Sequence, residues 1–284
     1  MELLEITEEQ ADGKIREIFS DIQSVIRSTR VGFLYRSLAV HETIFIRFWE
    51  KIRDNLISQY FERCAQNVRM RMIPPMPEDV PDFEEELLDI EYNDEKILSI
   101  CRILDMYNYL GPKDLIFAIA LKASLNGMSI GGTSPGSEYD LKTLPSGPHK
   151  DMPRPVLIEP KNISDNFLDF VLGEDRKKAI PDVWRALSGY PEFLELIGPF
   201  FLDQKSQEGY KITIGLSKGA AAAAAQELPY EFVLNTIEFN KDEILVLDKK
   251  LDYFIQTISE TNVMIHLLRA SILGESRVRR DPFD

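Results

Sequence analysis

Two stretches of this chain, far apart, read alike. Residues 104–127 are LDMYNYLGPKDLIFAIALKASLNG and residues 251–274 are LDYFIQTISETNVMIHLLRASILG. Without a gap, Leu104/Leu251, Asp105/Asp252, Leu121/Leu268, Ala123/Ala270, Ser124/Ser271 and Gly127/Gly274 coincide at an offset of 147 residues. Upstream, VGFLYRSL (31–38) matches IPDVWRAL (180–187) at an offset of 149, sharing Arg36/Arg185, Leu38/Leu187 and an aromatic at Tyr35/Trp184. One such match could arise between unrelated amphipathic helices. Two at nearly the same offset point to a repeated structural unit. The chain is expected to fold as two homologous helical repeats packed as a pseudo-dimer.

Helix is the expected element nearly throughout. Segments such as 43–56 (TIFIRFWEKIRDNL) and 95–109 place apolar side chains three and four apart, with charge on the opposite face. Residues 210–216 (YKITIGL) are the best strand-like alternation, and six alanines at 220–225 read as a tightly packed helix. Each copy is expected to break at the same place, at Gly111-Pro112 in the first and at Ser259, as an N-cap, in the second. Residues 127–161, dense in Gly, Ser and Pro, have no helical period and are too long for an ordinary connection. The expected fold class is all-α, with a first repeat at 1–127, a linker at 128–162 and a second repeat at 163–284.

Charge narrows the partners. Lys plus Arg total 33 against 47 for Asp plus Glu, a net charge of −14. That surface repels phosphate backbones and anionic lipid, so neither nucleic acid nor membrane is an expected partner. An anionic substrate would need a local positive site. The opening MELLEITEE has no signal-peptide pattern, and no run approaches the ~20 apolar residues that span a bilayer, so a soluble, cytoplasmic protein is expected. Cys64 and Cys101 are too few and scattered for a disulfide framework or a zinc site. His41, His149 and His266, with no H-E-x-x-H or C-x-x-C, leave metal-hydrolase and thiol-redox chemistry without their groups, and no metal is expected. The N-terminal ADGKIREIFSDI faintly resembles the alkylhydroperoxidase and carboxymuconolactone decarboxylase group, whose peroxidase members depend on the C-x-x-C that is missing here.

An active site usually breaks pseudo-symmetry. At one matched position the first repeat has Phe33 and the second has Asp182. Asp182 follows Pro181, a favoured first residue of a helix, so its carboxylate is expected in the first turn, where free amides and the helix dipole favour a charged acid. Such an acid can serve as a base toward a pinned water. Acids at helix N-termini also occur for stability alone.

At these residues the chain resembles the group I 2-haloacid dehalogenases. IPDVWRALSGYPEFLE looks like that family's second-repeat signature and LDMYNYLGPKDLIFAIAL like its companion in the first. The resemblance implies hydrolytic dehalogenation of short 2-haloalkanoic acids without metal or organic cofactor: an aspartate at the position of Asp182 activates a water, which displaces halide from C2 with inversion and no covalent ester. It carries an apolar halide cradle onto Gly32, Phe33, Phe254, Ile255 and Ile258, with Gly111, Ile180 and Pro181 also at the substrate. Ser58 and Glu62 resemble a hydroxyl–glutamate pair important in relatives. The partners implied are a 2-halo acid and water, with a homodimer left open. Three departures stand out. The family's Asn-Pro-Lys is Gly111-Pro112-Lys113 here, removing a pocket hydrogen bond. Ile180 replaces a small residue and is expected to crowd one enantiomer. Arg30 replaces an aromatic; it could seat a carboxylate, but is expected to point to solvent. The competing expectations are a non-catalytic helical protein binding a small apolar carboxylate, and a related hydrolase with another substrate.

Overall fold

Two long helices form the axis of the molecule. In the computed structural model, which describes residues 4–77, 80–133, 142–172 and 179–283, they are α6 (Asp94–Leu125) and α11 (Lys241–Leu273), packed on one another. They contain most of the two long matching sequences. Asn93 starts α6 by accepting from the Lys96 amide, Asn240 starts α11 by accepting from the Asp242 amide, and Gly274, at φ 81°, ends α11. Both are buried on nearly every side over their second halves, as central helices are.

Around them lie α1 (Gly13–Ile26), α2 (Phe33–Leu38), α3 (Glu42–Leu56), α4 (Gln59–Arg71) and α5 (Phe83–Asp89), then α7 (Asp165–Leu172), α8 (Asp182–Leu187), α9 (Pro191–Ser206), α10 (Glu208–Gln226) and α12 (Glu275–Val278). The described residues hold isolated β-bridges at Ser58–Thr143 and Ile130–Phe232 but no strand, so the fold is all-α. Among the described residues, no helix is long and apolar enough to cross a membrane.

Polar groups lock α6 to α11. Arg269 donates to Asn108 Oδ1 at 3.0 Å and pairs with Asp105 at 2.8 Å, while Asn108 Nδ2 stands 3.0 Å from His266 Nε2. Burial holds fully enclosed His266 well below the usual imidazole range, aided by the Arg69 and Arg269 charges.

Local sequence misled at three places. YKITIGL lies inside α10, where Tyr210, Thr213, Ile214, Ser217 and Ala221 form a helical stripe facing α4 and α6; the alanine run propagates the helix past the local β preference. Gly111-Pro112 does not end α6, because a buried helix packed on both flanks absorbs the loss of one backbone donor. Ser259 caps nothing: it sits mid-helix and donates to the Ile255 carbonyl at 2.8 Å. Of the expected linker, 134–141 lie outside the described residues. Its described parts are irregular and tied to both halves, the Gln59 amide donating to Lys142 O at 2.8 Å and the Ile158 amide to Arg185 O at 3.1 Å.

Candidate active site

Two six-residue helices, α2 and α8, bring the matched positions 33 and 182 together. Asp182 opens α8, yet its carboxylate reaches across to α2. Oδ2 accepts from the Phe33 amide at 3.1 Å and from Arg36 Nη1 at 2.9 Å; Oδ1 accepts from Arg36 Nη2 at 2.9 Å and has Arg185 at 3.6 Å. The acid thus satisfies the N-terminus of the other short helix and forms a bidentate buried pair. Against the opposing effect of burial, Asp182 and Glu5, 2.7 Å from Arg36 Nε, raise the Arg36 guanidinium further above its usual range. A carboxylate oxygen has two lone-pair directions. The two donors fill Oδ2, whereas Oδ1 accepts one hydrogen bond and keeps a second direction.

Beside this pair lies an apolar cavity of about 80 Å³. One water needs roughly 10–15 Å³ on the same measure, so the space suits a ligand of about half a dozen non-hydrogen atoms. Phe33 and Phe254 touch edge to face in its wall, ring centres 5.3 Å apart. The walls follow the sequence match. Gly32, Phe33 and Leu34 line it from α2, and Pro181, Asp182 and Val183, at the 149-residue offset, from α8. From α6 come Met106, Tyr107, Leu110, Gly111 and Asp114; from α11, at the 147-residue offset, come Tyr253, Phe254, Thr257, Ile258 and Thr261. Arg30 and Asn262 complete the lining.

Asp114 is the second acid here. Burial, reinforced by the Asp182 charge, pushes it up to about 7; the nearby Tyr35 hydroxyl, which no hydrogen bond of normal geometry satisfies, pulls the other way. Arg30 is not turned to solvent as its sequence context suggests. Its guanidinium is tethered to Pro155 O at 3.0 Å, lies 4.0 Å from Glu8 and borders the cavity, the one cation among the lining residues.

Of the sequence-derived site residues, Gly32, Phe33, Gly111, Pro181, Asp182, Phe254 and Ile258 meet at this cavity. Ile180 is buried in the core outside the lining, and Ile255 is partly buried against that core; the wall of α11 follows 253, 254, 257, 258 and 261, one residue away from the face that Ile255 shares. Ser58 and Glu62 also lie outside it. Ser58 caps α4, accepting from the Phe61 amide at 3.1 Å. Glu62 pairs at 2.7 Å with fully buried Lys113, which also donates to the Tyr109 hydroxyl at 2.6 Å. Burial would raise the Glu62 carboxyl, but Lys113 leaves it below its usual range, and burial lowers Lys113 itself. Arg36, Asp114 and Asn262 were missed from sequence. Arg36 left a signal, the arginine shared at 36 and 185; Asp114 and Asn262 left none.

The described residues thus close an apolar pocket beside a paired carboxylate. No protein-family model matches the chain. It is 24% identical over 197 residues to an (R)-2-haloacid dehalogenase of Pseudomonas putida, covering 67% of this chain and 64% of that protein. Configuration-inverting 2-haloacid dehalogenases of Alcaligenes xylosoxydans xylosoxydans and of Pseudomonas sp. (strain 113) are 25% and 26% identical, covering 68% of this chain and 66% and 64% of theirs. The chain thus spans 64% to 66% of the length of the curated relatives it matches. A solved D-2-haloacid dehalogenase with L-LA shares the fold at a TM-score of 0.73 and 21% identity, over 98% of this chain and 95% of that one; a mutant with D-2-CPA does so at 0.72. The chain is thus similar in sequence to 2-haloacid dehalogenases and shares the fold of solved ones.

Proposed function

We propose that the protein is a hydrolytic dehalogenase of short 2-haloalkanoic acids, acting by direct displacement. The observation that carries this reading is the Asp182 carboxylate with one open lone-pair direction, at the wall of a small apolar cavity. Asp182 Oδ1 accepts a proton from water as the water oxygen forms a bond to C2. The carbon–halogen bond breaks, halide leaves with the electron pair, and C2 inverts to give the 2-hydroxy acid. Phe33, Phe254 and Ile258 strip water from the departing halide, and Arg30 supplies the local positive seat that an anionic substrate needs in so acidic a protein. Arg36 holds the base in one orientation. Glu62 acts at one remove, through Lys113 and the α6 segment that carries Gly111 and Asp114. The matched walls support two homologous repeats forming a pseudo-dimer with the cavity on its axis.

The test is halide release from chloroacetate and from each enantiomer of 2-chloropropanoate, with Asp182→Asn beside the wild type. Asp182→Asn should reduce release at least ~1,000-fold while keeping its helical circular dichroism. Retained turnover would remove Asp182 from the mechanism. A single turnover in ¹⁸O-water should put the label into the product at once; label first appearing in a later turnover would show an ester on the enzyme. One observation favours a second reading, a non-catalytic binder of a small apolar carboxylate: Asp182 already has a full ion-pair partner in Arg36. Binding of propanoate with no halide release from any of the three substrates would select it.

A further inference from the structure

Two residues of the cavity wall have no counterpart there. The positions matching Arg30 and Asn262 are Ala179 and Leu115, and neither lines the cavity. Asn262 is nearly buried, and its Nδ2 donates to the Ile258 carbonyl one turn back at 3.0 Å, which fixes how the amide faces. Its Oδ1 is buried and accepts no hydrogen bond from the described residues. A buried acceptor left bare is costly, so such a group at a cavity wall points to a ligand.

The opposite wall has made room for it. A Cβ on Gly111 would overlap the Asn262 amide, so only glycine fits at 111 while Asn262 keeps this pose. Glycine inside a helix weakens that helix, and here the loss makes space for a polar group from the other half of the chain. An amide from α11 thus fills the space where a side chain from α6 would project.

What Oδ1 can bind follows from the reactants, and this step rests on the dehalogenase reading. A 2-haloalkanoate anion offers carboxylate oxygens and a halogen, all acceptors. None can satisfy Oδ1. The donor in the reaction is water, and after displacement the new hydroxyl of the product. We infer that Asn262 is the residue that holds the attacking water, Oδ1 accepting one hydrogen and leaving the other for Asp182.

Calorimetric titration with lactate and propanoate, which differ by that hydroxyl, tests this together with halide release. Wild type should bind lactate ~10-fold more tightly than propanoate; Asn262→Leu, which copies Leu115, should abolish the preference and leave propanoate affinity unchanged. Its kcat should fall ~100-fold with little change in KM. The exchange Gly111→Asn with Asn262→Gly, moving the amide to the other wall, should recover part of both, whereas Gly111→Asn alone should not. Equal affinity of wild type for the two acids, or equal weakening of both by Asn262→Leu, overturns the inference. Unchanged kcat and preference in Asn262→Leu, with wild type releasing halide, overturns it and leaves the dehalogenase reading standing. A wild type that releases no halide but loses its lactate preference in Asn262→Leu sinks that reading and leaves Asn262 as a hydroxyl-binding residue.

Discussion

Asp182 and Asp114 line one cavity, but their surroundings treat them oppositely. Asp182 has a guanidinium and an amide; Asp114 has the Tyr35 hydroxyl and the repelling Asp182 charge close by, and burial pushes it up to about 7. Its native-state value lies above the ~3.9 of an unfolded aspartate, so the native state holds the proton more tightly. The penalty is absent below about pH 4 and grows as pH rises to about 7. Asp114→Asn should therefore be more stable than wild type at pH 8, by about 2–4 kcal/mol, and little changed at pH 4, as urea melts at the two values would show. Ionised Asp114 also repels an anionic substrate, so kcat/KM for 2-chloropropanoate should fall above pH 7 in wild type and stay level in Asp114→Asn. Glu62→Gln leaves the Lys113 ammonium buried without its anion and should cost about 3 kcal/mol in urea midpoints.

At the scale of elements, the α6–α11 contact depends on the Asn108, His266 and Arg269 cluster as much as on apolar packing. Asn108→Leu removes one buried acceptor of Arg269 and the partner of His266, and should lower stability by about 2–3 kcal/mol, measured by thermal melting. His266 is held neutral, with its native-state value below the unfolded one. Its contribution is complete above about pH 6.5 and is lost as pH falls beneath that. In an Asp114→Asn background, where the opposing slope is gone, His266 should contribute about 1 kcal/mol of the loss from pH 7 to 5.5, and His266→Gln should flatten the slope by that much, leaving the smaller share of His41 and His149, which burial also lowers. The helices themselves were legible in sequence because period and caps act within a turn or two: 43–56 and 95–109 lie within α3 and α6. Breaks were not legible. Pro112 and Ser259 carry signals that end an exposed helix, and burial on both flanks overrides them. The same locality explains the site. Asp182 stood out as a difference between two matching segments, whereas its partner Arg36 stood out as a likeness, and nothing near Asn262 in sequence announces that it faces Gly111.

Across the whole molecule, the net charge of −14 opposes the approach of an anion that only Arg30 welcomes at the wall. Long-range repulsion is screened by salt and the buried seat much less so. Raising sodium sulfate from 10 to 200 mM ionic strength should therefore raise kcat/KM for chloroacetate several-fold while kcat stays level; an unchanged or falling kcat/KM would show that surface charge does not govern entry. The matched walls have a further effect, felt by inheritance rather than energy. Two separate identical subunits would place every mutation on both sides of a shared cavity, and a small acid could lie in it either way round. One continuous polypeptide lets a codon alter a single wall. Saturating codon 262 or codon 30 alone thus samples one-sided changes, and variants chosen for opposite enantiomers can be sought without rebuilding the scaffold.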